Sequence, residues 1–172
     1  MSSDQPWPPR LATVGDADEV AGLLHDFNVE FDTPTPGVEV LAKRLRVLLA
    51  GEETFALVAG RPSVAVALLT LRPNVWYEGP VALLDELYVV PALRGRGIGS
   101  RIIDLLLSTA SQRSVSLVEI NVDEGDIDAQ RFYERHGFVA TEPGSTERAL
   151  YFFRDLVGST LSRGAAVRDA PP

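Results

Sequence analysis

Residues 85–99, Asp-Glu-Leu-Tyr-Val-Val-Pro-Ala-Leu-Arg-Gly-Arg-Gly-Ile-Gly, read as a strand running into a basic, glycine-rich turn, which opens onto an apolar helix through Ser100-Arg-Ile-Ile-Asp-Leu-Leu-Leu. Gly95, Gly97 and Gly99 lack a Cβ, so the backbone can turn tightly, approach a ligand closely and direct amide N–H groups at phosphate oxygens. Arg94 and Arg96 add positive charge, and the helix beginning near Gly97, with Ile98 in its first turn, adds the partial charge of its N-terminus. A strand–turn–helix unit with an anion site at the junction follows, and the expected ligand carries a pyrophosphate.

Two familiar phosphate loops do not fit. A dinucleotide fingerprint counted from Gly95 requires a third glycine where this chain has Ser100. A P-loop requires Gly-Lys-Ser/Thr, which occurs nowhere in the sequence. The chain has 172 residues and a formal net charge of −8, enough length for one domain with a sizeable core and a balance that disfavours general nucleic-acid binding. With no cysteine there is no disulfide, thiolate nucleophile or thiolate metal site. His25 and His136 lack metal-ligand spacing and are expected to be exposed, so no metal is expected. The N-terminus resembles no signal peptide and no apolar run approaches membrane-spanning length, so a soluble, cytoplasmic protein without a membrane partner is expected.

Hydrophobic periodicity sets out the rest of the chain. Arg10–Val14 reads as a first strand, followed by a helix with Val20, Leu23, Leu24 and Phe27 on one face. The loop Asp32-Thr-Pro-Thr-Pro-Gly separates it from a second helix over Val38–Ala50. Thr54–Ala59 and Ser63–Leu71 read as a hairpin, and Val81–Val90 as the central strand. Arg101–Ala110 continues the helix of the turn, Leu117–Val122 is a strand, Asp126–His136 a helix, and Phe138–Thr141 and Ala149–Arg154 the last two strands. The expected class is α/β (α+β), a mixed sheet of six to seven strands with flanking helices in the order β-α-α-β-β-β-α-β-α-β-β. The domain is expected over 10–156, between a proline-rich tail at 1–9 and a flexible tail at 157–172.

Arg94-Gly-Arg-Gly-Ile-Gly99 resembles the acyl-CoA-binding signature of the GNAT superfamily of N-acetyltransferases, Arg/Gln-x-x-Gly-x-Gly/Ala. Asp126-Ile-Asp-Ala129-Gln-Arg-Phe132-Tyr133-Glu-Arg-His-Gly137-Phe138 is similar to that family's Asn-x-x-Ala-x-x-Phe-Tyr-x-x-x-Gly-Phe element, with Asp in place of Asn. As a helix N-cap the two are nearly equivalent, but a carboxylate cannot donate the amide hydrogen bond of Asn. The element order is the one the GNAT fold requires. The resemblance implies acetyl-CoA as co-substrate, held by Leu87, Tyr88, Val89, the turn at 94–99, Asp126 and Ala129, with a homodimer as a family expectation.

The resemblance further implies direct attack of an amine on the thioester, without an acyl-enzyme. Tyr133 is the implied proton donor to the leaving thiolate, since a phenol with an ordinary pKa near 10 is protonated at neutral pH. The backbone amide of Leu87 is the implied partner of the acetyl carbonyl. For the base the sequence offers Asp85 and Glu86, expected on opposite faces of the strand because side chains alternate; a water relay is the third possibility. Acceptor contacts are expected from Phe31 and Asp32 after the first helix and from Trp76 and Tyr77, aromatics able to cover an amine, with a hairpin loop closed by aromatics or a dimer contact as the alternative for the latter pair. The expected reaction is acetyl transfer to a primary amine of a small cationic molecule or peptide, with a catalytically silent acyl-CoA-binding module as the alternative.

Overall fold

The computed structural model describes residues 6–142 and 144–156, so the proposed tail at 157–172 and residues 1–5 lie outside the described part. Strands β1 (Pro9–Leu11), β2 (Thr54–Ala59), β3 (Ala65–Arg72), β4 (Val81–Val89) and β5 (Leu117–Ile120) form one sheet in sequential order. Pairing is antiparallel from β1 to β4 and parallel between β4 and β5. Parallel pairing needs a crossover, supplied by helix α3 (Ile98–Gln112). Helices α1 (Ala17–Glu30), α2 (Val38–Ala50) and α4 (Ile127–Arg135) complete the architecture.

Every residue of β2 is buried, because both faces of the sheet are covered. Ala56 and Val58 pack with Val20, Leu24 and Leu45 of α1 and α2. Phe55, Leu57 and Ala59, alternating with them, join Ile102, Ile103 and Leu106 of α3. The start of α1 is secured by the carboxylate of Asp16, which accepts both guanidinium arms of Arg10 at 2.9 and 2.6 Å and the N–H and Oγ1–H of Thr13 at 2.7 and 2.9 Å. Those donors hold Asp16 far below the ordinary carboxylate range, the Arg10 hydrogen bonds contributing most.

Among the described residues the sheet has five strands where six to seven were expected. Phe138–Thr141 and Ala149–Arg154 are not strands among the described residues; a single bridge, Thr141 to Arg148, joins their surroundings. Leu150, Tyr151, Phe152 and Phe153 are exposed. Their β propensity is high, but a strand forms only where an edge receives it, and β5 here pairs on one side alone. The first strand spans Pro9–Leu11 instead of Arg10–Val14. Pro9 already pairs with Ala59, and Trp7 packs against the α3-side core.

Candidate active site

β4 and the edge strand β5 pair over only part of the length of β4. Their register runs from Val81 with Leu117 to Leu84 with Ile120 and stops there, while β4 continues to Val89 beside β3 alone. From Asp85 onward the β4 edge turned toward β5 has no strand partner among the described residues. Leu87, Tyr88 and Val89, expected to meet the cofactor, lie along this slot. Of their side chains, Tyr88 is buried among the α1 and α2 residues and Leu87 and Val89 pack on the α3 side.

A bulge lies at the mouth of the slot. Leu69 pairs with Leu84 but Leu68 pairs with Glu86, leaving Asp85 as the extra residue. The inserted residue resets the alternation. Asp85 Oδ2 accepts the Thr70 hydroxyl at 2.6 Å, and Thr70 shares a face of β3 with Leu68, the partner of Glu86. Both carboxylates therefore belong to the α1 and α2 face, not to opposite faces as strict alternation predicts. Sequence reasoning missed Thr70 because nothing local distinguishes it from other strand threonines.

β4 leads through a 3-10 turn at Pro91–Leu93 into the glycine segment. Gly95 and Gly97 have φ of 74° and 73°, the left-handed region that a Cβ disfavours. A Cβ at Gly95 would meet nothing within 4 Å, so the space beside this turn is open. Gly97 is the N-cap of α3, which has no side-chain cap and no acidic residue in its first turn, leaving the first-turn amides directed at that space. Residues of this kind fit a pyrophosphate. Gly99 has a different duty, because a Cβ there would lie 3.3 Å from Phe132 Cζ. It admits α4 against α3.

The two arginines diverge. Arg94 points back to α1, where its Nη atoms donate to both carboxylate oxygens of Glu30 at 2.7 Å, while its Nε donates to the Val89 carbonyl at 2.9 Å. Its guanidinium also lies 5.5 Å from the Tyr88 ring centre. The hydrogen-bonded pairing lowers the pKa of Glu30 and raises that of Arg94. The expected free charge at Arg94 is thus neutralised by Glu30, a residue without any sequence signal. Arg96 is exposed and reaches the other way, 5.9 Å from the Trp7 ring.

α4 presents the second motif. Asp126 caps it, Oδ1 accepting the Ala129 N–H at 2.9 Å. Tyr133 is half-buried, edge-on to Phe132 at 5.1 Å and Phe138 at 5.7 Å. Burial, reinforced by the charges of Asp126 and Glu86, pushes its phenol well above the ordinary value, so it stays protonated. His136 is half-buried instead of exposed, its Nδ1 2.8 Å from the Phe132 carbonyl, and His25 likewise faces Thr35 Oγ1 at 3.2 Å. Among the described residues no cluster of three or more metal-ligating side chains occurs, and no helix is long and apolar enough to cross a membrane.

The acceptor candidates do not come together. Phe31 ends α1 beside Glu30, and Asp32 follows with φ of 51°, so both lie at the phosphate-turn end of β4. Trp76 and Tyr77 precede the other end of that nine-residue strand, roughly 30 Å of chain away. Asn74 fixes their loop by accepting both of their N–H groups at 2.9 and 2.8 Å, and the Gly79 N–H donates to Ser116 Oγ at 3.2 Å. Trp76 is 86% exposed, so it covers nothing in this structure.

The unpaired β4 edge leads to an uncapped helix terminus, and the half-buried phenol of Tyr133 lies on the neighbouring helix α4. The family model for "Acetyltransferase (GNAT) family" matches residues 20–138, and the chain belongs to that family and is an acyltransferase. Glucosamine 6-phosphate N-acetyltransferase 1 of Oryza sativa subsp. japonica is 31% identical over 142 residues, covering 79% of this chain and 82% of that protein. Mycothiol acetyltransferase of Beutenbergia cavernae is 34% identical over 71 residues, 40% of this chain and only 24% of its own length. A crystal structure from Arthrobacter sp. FB24, of a protein assigned as an acetyltransferase, superposes with a TM-score of 0.82 at 54% identity. It covers 86% of this chain and 95% of that one.

Proposed function

We propose that this protein is an N-acetyltransferase that moves the acetyl group of acetyl-CoA directly to a primary amine of a small cationic molecule or peptide. The separation of β4 from β5 at Leu84 and Ile120, leading straight to the open turn at 95–97, carries the reading. The β4 edge at Leu87–Val89 takes the pantetheine arm as a substitute strand, and the amides of Gly95–Gly99 take the pyrophosphate. Asp126 acts here as the α4 cap that places Ala129 and Tyr133 beside the arm. The bound co-substrate supplies an activated thioester.

The chain supplies orientation and proton management. The Leu87 amide donates to the acetyl oxygen as negative charge develops there. Asp85 and Glu86, on one face because of the bulge, provide the carboxylate that receives the amine proton. Asp85 is oriented by Thr70. Tyr133, kept neutral by burial, gives a proton to the departing sulfur. Phe31 and Asp32 approach the acceptor from the end of α1, while Trp76 and Tyr77 act only on an acceptor long enough to reach the other end of β4.

Thiol release from acetyl-CoA, read with a chromogenic disulfide against polyamines, aminoglycosides, amino sugars, amino acids and basic peptides, tests the proposal. A chain without cysteine contributes no background. Amine-dependent release is expected. Tight acetyl-CoA binding with no release for any amine class would favour a silent binding module.

A further inference from the structure

The described N-terminal segment is fastened to the phosphate turn. Trp7 has φ of 61°, a conformation uncommon for an aromatic residue and one that needs support from its surroundings. The support comes from Gly60, at φ of 86°, where an added Cβ would lie 2.9 Å from Trp7 Cδ1, and from the Gly60 N–H donating to the Pro8 carbonyl at 3.3 Å. Arg101, in the first turn of α3, donates to the Pro6 carbonyl at 3.4 Å and to the Arg96 carbonyl at 3.3 Å. Its Nε is buried without a partner among the described residues. The Arg96 guanidinium then lies over the half-buried indole at 5.9 Å.

Topology gives this cluster a direction. β1 begins where β2 ends, β3 begins beside them, and β4 ends there too, so Trp7 and the phosphate turn share one end of the sheet. α4 closes one flank of the α3 N-terminus through Phe132 against Gly99, and Trp7 stands beside Arg96 on the β1 side. A cofactor whose arm runs along β4 and whose pyrophosphate sits at 95–97 must send its nucleotide beyond the turn.

We infer that Trp7 and Arg96 form a shelf for the nucleotide end of the acyl donor, the indole offering a face to the purine ring and Arg96 and Arg101 facing the ribose phosphate. Base-on-aromatic stacking and charge-assisted phosphate contacts both suit such a pair. The inference rests on the acetyl-CoA reading of the same site. It makes the segment preceding β1 part of the binding site, although the sequence marks it only as a proline-rich tail.

The test compares acetyl-CoA with S-acetylpantetheine, a thioester lacking the nucleotide, and uses adenosine 3′,5′-bisphosphate as a probe of the nucleotide end alone. Binding is measured by calorimetry, so no acceptor has to be known. Trp7→Ala should weaken acetyl-CoA and the bisphosphate about tenfold and leave S-acetylpantetheine within twofold. Trp7→Leu retains apolar packing and should show the same loss, whereas Trp7→Phe retains most of the affinity. Equal weakening of both thioesters, no weakening of either, or tighter acetyl-CoA binding once the indole is gone would overturn the shelf. Failure of the wild-type protein to bind acetyl-CoA at all would instead remove the parent reading.

Discussion

Glu30 and Arg94 connect the end of α1 to the phosphate turn, and their coupling is measurable. The pair is bidentate at 2.7 Å, with the Glu30 side chain 28% exposed and that of Arg94 44% exposed. An exposed pair contributes roughly 0.2–1 kcal/mol. The fork geometry favours the upper part of that range, and solvent screening at Arg94 keeps it from going higher, giving about 1 kcal/mol. A double-mutant cycle with Glu30→Gln and Arg94→Ala should return that coupling in urea denaturation, with each single variant melting about 2–4 °C lower. Glu30 has a depressed pKa, so its contribution is present above the ordinary carboxylate range and disappears as pH falls through the lower folded value. Because Arg94 is held by Glu30, the two single variants should raise the acetyl-CoA KM by similar factors, about fivefold or less. A coupling below about 0.3 kcal/mol would refute the latch. So would a much larger KM increase in Arg94→Ala than in Glu30→Gln, which would place the guanidinium on the phosphate.

Tyr133→Phe should lower kcat at least tenfold with little change in acetyl-CoA affinity, checked by turnover and equilibrium binding; an unaltered kcat removes the phenol as donor. Since the folded phenol pKa is raised, wild-type turnover should show no alkaline loss from Tyr133 ionisation up to pH 10. Gly97→Ala forces a Cβ into φ of 73° and should destabilise by about 1–2 kcal/mol while weakening acetyl-CoA, seen in melting and titration together. Asp16→Asn discards a carboxylate with four donors and should lose about 2–3 kcal/mol at neutral pH. The depressed Asp16 pKa means that this difference from wild type shrinks as pH falls below about 4, toward the folded value, in acid denaturation curves.

Local chemistry was legible in the residue order. Gly95 and Gly97 announce a left-handed turn, the apolar run after them announces a helix, and Asp126 three residues before Ala129 announces an N-cap, because each depends on neighbours a few positions away. The sequence by itself therefore determined the strand–turn–helix unit, the α4 motif and the order of elements through α4. Tertiary structure decided what local pattern cannot encode. One bulged residue, assigned by the pairing of β3 with β4, moved Asp85 and Glu86 onto a common face. Residues 64 positions apart placed Arg94 on Glu30, and the return of β1 to the edge of β2 carried Trp7 to Arg96. The apolar segment Ala149–Arg154 has the composition of a strand and none of its pairing here, since backbone hydrogen bonds between strands require a partner edge that no residue can supply for itself.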